Sequence, residues 1–514
     1  MKLNKKIFIP AILILAAIIA AVSTNLQAIS GVVTSVYSGC IEKFGWFFVF
    51  ADICCLVFSL WLAFGPYRNV KLGGENCKAE FSTFSWAGMM FTTSCGAWLI
   101  VYGFLEPIYC SAQTAVGIEP LTTAGFEIGQ AYAHFNWGPN AWCIYVPISV
   151  AIGYVLYNRR SGVATIGEAC KAATGWRGGK IVRYAADLMS LCGAVLAPVI
   201  SIGTGLPLLV YLVKLIFGLE SVGNSVIQIG ILGVWILLFA TSVFFGLQKG
   251  IKRLSNANVI FGFGLMLLVG LFAGLFKVFS AEINTLGVYI SNYVRMCTYT
   301  DAFGDGAFVS GWTNSYYACY FVYMPLMGVF NAKISKGRRL KEIAFGQLVL
   351  CTLGCWVAMA TFGNYSMQLQ TSQQLDIASY IAAGDEAGAI VAILQTMPAS
   401  KLIMIALLVI SFIFLATTMD SSAFSAAEMT MVQEKGSHKL APRWVRLLWA
   451  SIAAIFAFLL VQVGGAQAVR SLCFITGLPL AVIALVVIVS TVKMLRSDLA
   501  SECEDEKRIR IFEK

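Results

Sequence analysis

Twelve apolar runs, each about twenty residues long and bounded by charged or turn residues, leave this chain few ways to fold. They fall near 7–29, 45–65, 83–107, 138–158, 182–203, 225–247, 258–280, 313–332, 343–363, 402–424, 444–463 and 472–494. Roughly 20 apolar residues in a helix cross a bilayer core, and a helix satisfies its own backbone there without water. The runs predict an all-α integral membrane protein with twelve spans. Composition agrees: of 514 residues, 59% are hydrophobic and 12% charged, which leaves no space for a large soluble domain. Met1–Lys6 has the charge of a secretory signal, but the apolar stretch after it is long for one and reads as a span.

Lysine and arginine give the topology, because cytoplasmic loops hold their excess. With the N-terminus inside, 30 of the 36 basic residues fall on the inner side, Arg338 and Arg339 among them. The other 6 are Lys43, Lys214, Lys277, Arg295, Lys401 and Arg470. One missed or invented span would invert everything after it, so the split predicts a plasma-membrane protein with both termini cytoplasmic. The net charge of +10 therefore reflects topology rather than nucleic-acid binding. The outer loops carry acids instead: Asp301, Asp305, Asp376, Asp385 and Glu386.

Catalysis is a poor fit. The 15 cysteines lie mostly inside apolar runs with no CxxC, and the 2 histidines, His134 and His438, are far apart. Zinc chemistry and a histidine-based nucleophile lack their parts, and the cysteines read as small buried hydrophobes. Neither an enzyme nor a cofactor is expected.

Helix breakers inside spans mark a substrate or ion path, since broken helices survive at membrane depth where they line a cavity. Gly203, Gly205 and Pro207 end the fifth run, and Pro325 with Gly328 interrupts the eighth. Ile283–Cys297 carries Ile283, Leu286, Tyr289, Ile290 and Tyr293 at helical spacing and reads as an amphipathic helix on the outer surface. In the fourth run Trp137, Trp142 and Tyr145 project within an arc of about 140°. In the eighth, Tyr316, Tyr320 and Tyr323 form a stripe of about 60°, with Tyr317 to one side. Two aromatic faces can close a cage around a methylated ammonium, each ring contributing about 0.5–2 kcal/mol. The same residues also suit an interfacial belt, since Gly138-Pro139 puts Trp137 near a helix end. Buried acids Glu106, Asp187 and Asp420 are candidates for ion or proton roles; for Glu106 and Asp420 the expected role is to cap backbone N–H groups near helix breaks. For Arg338 and Arg339 the preferred reading is topology rather than a gate latch.

Taken together, these stretches resemble the betaine/choline/carnitine transporter family. The fourth-span signature is similar to Trp137-Gly138 with Trp142 and Tyr145, and the eighth-span signature to Pro325-Leu-Met-Gly-Val-Phe-Asn-Ala-Lys-Ile-Ser-Lys-Gly-Arg338. Tyr102-Gly-Phe-Leu-Glu106-Pro107, Leu254-Ser-Asn-Ala-Asn258 and Thr417-Thr-Met-Asp-Ser421 also match, in the family's order from about residue 83 to 425.

The resemblance implies two peripheral helices in 1–82, inverted five-helix repeats in 83–280 and 313–494, an amphipathic segment in 281–312 and a tail in 495–514. It implies a homotrimer in the lipid bilayer that carries a small methylated ammonium compound by alternating access. The aromatic box would draw on Trp137, Trp142, Tyr145, Tyr317, Cys319, Tyr320 and Tyr323. Tyrosine stands where the family usually has tryptophan in the eighth span, which implies a more polar pocket. A coupling sodium would lie between the unwound third span, at the carbonyls of Thr92 and Cys95, and the tenth, at the Phe414 carbonyl and the hydroxyls of Thr417 and Thr418. Against sodium, Ser94-Cys95-Gly96-Ala97-Trp98 keeps one glycine of the family's stretch and sets a bulky Trp98 at another; in favour, Asn258 occupies the place of an arginine expected in sodium-independent exchangers. Apolar Leu196 and Ile200 remove the hydroxyls of a second ion site. The alternatives are a substrate exchanger, proton coupling, an amine or amino-acid symporter of the same fold, or a membrane sensor. The short charged ends point to nutrient uptake rather than osmotic regulation.

Overall fold

The computed structural model describes residues 2–24, 26–96, 98–115, 117–176, 178–246, 250–432 and 440–512 and is almost wholly helical. The first half holds α1 (Lys5–Thr24), α2 (Leu26–Phe64), α3 (Thr83–Cys95), α4 (Trp98–Ala112), α5 (Thr123–Asn136), α6 (Pro139–Cys143), α7 (Val146–Tyr157), α8 (Ile166–Ala169), α9 (Gly179–Phe217), α10 (Asn224–Gly246), α11 (Lys252–Ala273) and α12 (Leu275–Thr298). The second holds α13 (Asn314–Ile334), α14 (Leu340–Phe345), α15 (Thr352–Ala358), α16 (Asn364–Thr371), α17 (Ile377–Ala382), α18 (Glu386–Gln395), α19 (Ser400–Met429) and α20 (Arg443–Phe512). Two-residue strands β1 (Lys2–Leu3) and β2 (Met431–Val432) pair antiparallel.

Among the described residues, seven helices are long and apolar enough to cross a membrane, or eight when α3 and α4 count as one bent span. The protein is therefore a multi-pass membrane protein. The fourth crossing runs from Thr123 to Tyr157, well before the expected start at 138. Gln130, His134 and Asn136 lower its hydropathy, but they are buried among other helices and not exposed to lipid. For the same reason α13, every residue of which is buried, is central to the bundle although rich in Tyr, Asn and Ser. The seventh run ends early, at Ala273, because Gly274 turns with φ +80° into α12. The reversal expected between the eleventh and twelfth runs is helical: α20 is one 70-residue helix whose one proline, Pro479, lies beyond that point.

The helix breaks fall elsewhere than Gly203–Pro207 and Pro325–Gly328. α9 continues through Pro198 and Pro207, and α13 through Pro325. Gly328 instead permits close packing, since a Cβ there would lie 1.7 Å from Ile148 Cγ2 of α7. The third span breaks after Cys95, where α3 and α4 meet at 67°. The fourth breaks at Trp137-Gly138, where Pro139 has no N–H to continue the ladder and disfavours helical geometry in the residue before it. π-turns at Val309–Thr313, Gly346–Cys351 and Met359–Gly363 loosen the eighth and ninth spans.

Asp376 and Asp385, expected in outer loops, cap α17 and α18, accepting from Ser379 N and Gly388 N. Asp187 does the same for the α8 segment, accepting from Gly167 N at 2.6 Å. Arg338 pairs with Glu342 at 3.1 Å, donates to the Phe81 carbonyl at 2.8 Å and covers the Trp86 ring, so it fastens the loop between α13 and α14 to the start of α3. The cysteines behave as expected: 10 of the 14 described are buried, and all 14 are free thiols. His438 lies outside the described residues.

Candidate functional site

The break in the fourth span frees backbone carbonyls that helical hydrogen bonds would have used. Two side chains take them up: Tyr320 Oη donates to the Asn136 carbonyl at 2.5 Å, and Trp356 Nε1 to the His134 carbonyl at 2.9 Å. The eighth and ninth spans are thus tied to the point where Trp137 leaves the helix.

Around that point the aromatic rings converge. Trp98, the first residue of α4, stacks on Tyr316 with centroids 5.2 Å apart and planes 17° from parallel. Trp137 meets it edge-on at 5.1 Å, Tyr320 lies at 5.8 Å and Tyr323 at 6.4 Å. These separations are those of favourable aromatic pairs, and the chamber is closed around its own side chains. Tyr145 meets Tyr320 edge-on at 6.4 Å, and Trp142 reaches the chamber through Tyr145 at 5.9 Å. The Trp142 indole N–H is buried with no acceptor among the described residues, a donor available to a polar ligand group.

Two of the expected box residues lie elsewhere. Tyr317 is turned to the opposite side of α13, its hydroxyl beside the Asp52 carboxylate of α2. Cys319 faces Cys473 of α20 and stands behind Tyr323. The 3.6-residue turn accounts for both in part: Tyr316, Tyr320 and Tyr323 share one face, and Tyr317 and Cys319 flank it on either side, about 90° and about 70° from its centre. Tyr316, part of the aromatic stripe but not of the residues the resemblance assigned to the box, joins the cluster together with Trp98. Trp98 was legible as a departure in the third span, but its effect on the box depends on the bend beside it.

Glu106 gathers side-chain donors. Its fully buried carboxylate accepts from Asn136 Nδ2 at 2.8 Å, Trp137 Nε1 at 2.6 Å and the Tyr316 hydroxyl. It orients both walls of the chamber through charge-assisted bonds.

Oxygen atoms gather where α3 ends. The Thr92 carbonyl, which a continuing helix would have bonded to residue 96, lies 3.5 Å from both Thr417 Oγ1 and Thr418 Oγ1. Both hydroxyls also reach the Phe414 carbonyl, at 2.7 and 3.2 Å. Four of the five expected ion residues therefore converge. Cys95 is buried at the break, its Sγ 3.6 Å from Cys355 Sγ. Gly96 has φ +51°, and a Cβ there would lie 2.5 Å from Ser201 Oγ and 3.1 Å from Thr418 Oγ1. Only glycine admits both hydroxyls at that turn. Ser201 in turn bonds Tyr323 Oη at 2.7 Å, so one residue joins the aromatic cluster to the Gly96 turn beside the oxygens.

A bent helix, a buried cluster of aromatic rings and an adjacent cluster of uncharged oxygens, all within a multi-pass bundle, are what a secondary transporter needs. Residues 6–500 match the betaine/carnitine/choline family of transporters, and the chain belongs to that family. Its fold is similar to a Na+-coupled sialic acid symporter solved in a substrate-bound, outward-open state, with a TM-score of 0.50, 14% identity and 87% of each chain covered.

Proposed function

We propose that the protein imports a quaternary or otherwise methylated ammonium compound by alternating access, driven by sodium. The observation that carries this reading is the ring of Trp98, Trp137, Tyr316, Tyr320 and Tyr323. Ring faces attract a cation that has no N–H to satisfy, and desolvation strengthens the attraction. Sodium, the co-transported ion, suits the second cluster: two carbonyls and two hydroxyls are hard, uncharged donors. Motion at the Gly96 turn would change the chamber and the ion ligands together, which is what coupling requires. The twelve-span topology in two inverted repeats, cytoplasmic termini and a homotrimer complete the proposal.

The test is equilibrium binding to purified protein, followed by tryptophan fluorescence, for glycine betaine, choline, carnitine and an unmethylated amino acid, with and without sodium. The account expects methylated compounds to bind, more tightly with sodium, and Thr417→Ala with Thr418→Ala to abolish the sodium effect. Preference for the unmethylated amino acid would overturn the substrate class.

A further inference from the structure

The buried face of α11 runs through Ser255, Asn258, Gly262, Leu265, Met266 and Val269. Past Ser255 it is apolar or small except at Asn258. That side chain is fully buried, and neither atom of its amide, Oδ1 or Nδ2, has a hydrogen-bond partner among the described residues. A leucine there would carry no such cost, since a buried polar group without a partner forfeits the bonds it made to water. Such groups are rare and point to a bound water or ion.

Two contacts on the same face place Asn258 against the oxygen cluster. Three residues before it, Ser255 Oγ lies 3.0 Å from Thr92 Oγ1 of α3. Four residues after it, a Cβ on Gly262 would lie 3.7 Å from Phe414 Cε2 of α19. Thr92 and Phe414 are the two residues whose carbonyls belong to the cluster, and positions i, i+3 and i+7 of a helix share one face. Asn258 therefore lies between α3 and α19, on the α11 side of the same group of oxygens.

The cluster brings four oxygens from two helices, whereas hard cations gather about six. Asn258 Oδ1 is a donor of the same kind, uncharged and hard, and no N–H or O–H of the described residues competes for it. On the sodium-coupled reading above, we propose that Asn258 is a further ligand of the co-transported cation, reaching it from α11. One ion then joins three helices, α3, α11 and α19, through ligands that carry no charge of their own.

The test reads the cation without the transported substrate. Melting of the purified full-length protein in detergent is followed against sodium, with potassium holding the ionic strength constant, so that a bound ion shows as a raised melting temperature. Wild type should be stabilised by sodium. Asn258→Leu, which keeps the branched shape and removes the oxygen, should raise the half-saturating sodium concentration about tenfold, the loss of one charge-assisted contact. Asn258→Asp should move it the other way, severalfold lower, because the added charge faces the ion. A role in packing alone would not shift the two variants in opposite directions. A half-saturating concentration within about twofold of wild type in either variant would overturn the proposal and leave the sodium reading intact, whereas wild-type melting that ignores sodium would overturn both.

Discussion

Ser201 Oγ and Tyr323 Oη lie 2.7 Å apart, and the same serine presses against the Gly96 turn beside Thr418. A hydrogen bond from α9 to α13 thus runs from the Gly96 turn, beside the oxygen cluster, to a ring of the aromatic cluster. Ser201→Ala and Tyr323→Phe should each raise the half-saturating sodium concentration severalfold, up to about tenfold for one lost buried bond. The double variant should be little worse than either single, since both remove the same bond. Full additivity in sodium-dependent binding would show that the bond does not link the two sites.

Trp98 sits among four chamber rings and is 5% exposed. Trp98→Ala should cost about 3–5 kcal/mol of stability by the usual large-to-small core penalty, read as a lowered melting temperature in detergent. It should also shift competition toward bulkier ammonium compounds, whereas Trp98→Phe should keep the wild-type order of competitors.

Glu106 holds Trp137 and Tyr316 with one carboxylate. Glu106→Gln removes the charge and turns one accepting oxygen into a donor facing donors, a loss of about 1.5–3 kcal/mol per charged bond. Substrate affinity should fall more than tenfold. A titration curve matching wild type would contradict the role given to Glu106.

Tyr317 and Tyr320 provide a paired contrast on one helix. Tyr320→Phe deletes the hydroxyl that occupies the Asn136 carbonyl and should weaken substrate binding about tenfold. Tyr317→Phe, on the Asp52 side, should leave affinity within about twofold, inside the range of a distant substitution. The reverse order would move the box to the other face of α13.

The membrane class was legible because hydropathy over twenty residues is additive and needs no partner. The breaks were harder to read. Glycine and proline in α9 and α13 looked like interruptions, yet Gly328 serves close packing and Pro325 stays within its helix, distinctions that depend on Ile148 and the neighbouring helices. The aromatic stripe of α13 followed from the 3.6-residue turn, but Trp98 reached those rings through the bend at Gly96, which starts α4 beside α13. Ser201 and Ser255 join helices far apart in sequence, and nothing in their local spacing announces them.

Coupling is tested most directly by uptake of labelled glycine betaine, choline and carnitine into proteoliposomes, with and without an inward sodium gradient and with or without unlabelled substrate inside. The account predicts that at least one methylated ammonium accumulates against its gradient with sodium, that preloading is unnecessary, and that Thr417→Ala with Thr418→Ala abolishes accumulation. Uptake that ignores sodium and requires preloading would make the protein an exchanger and contradict the ion site.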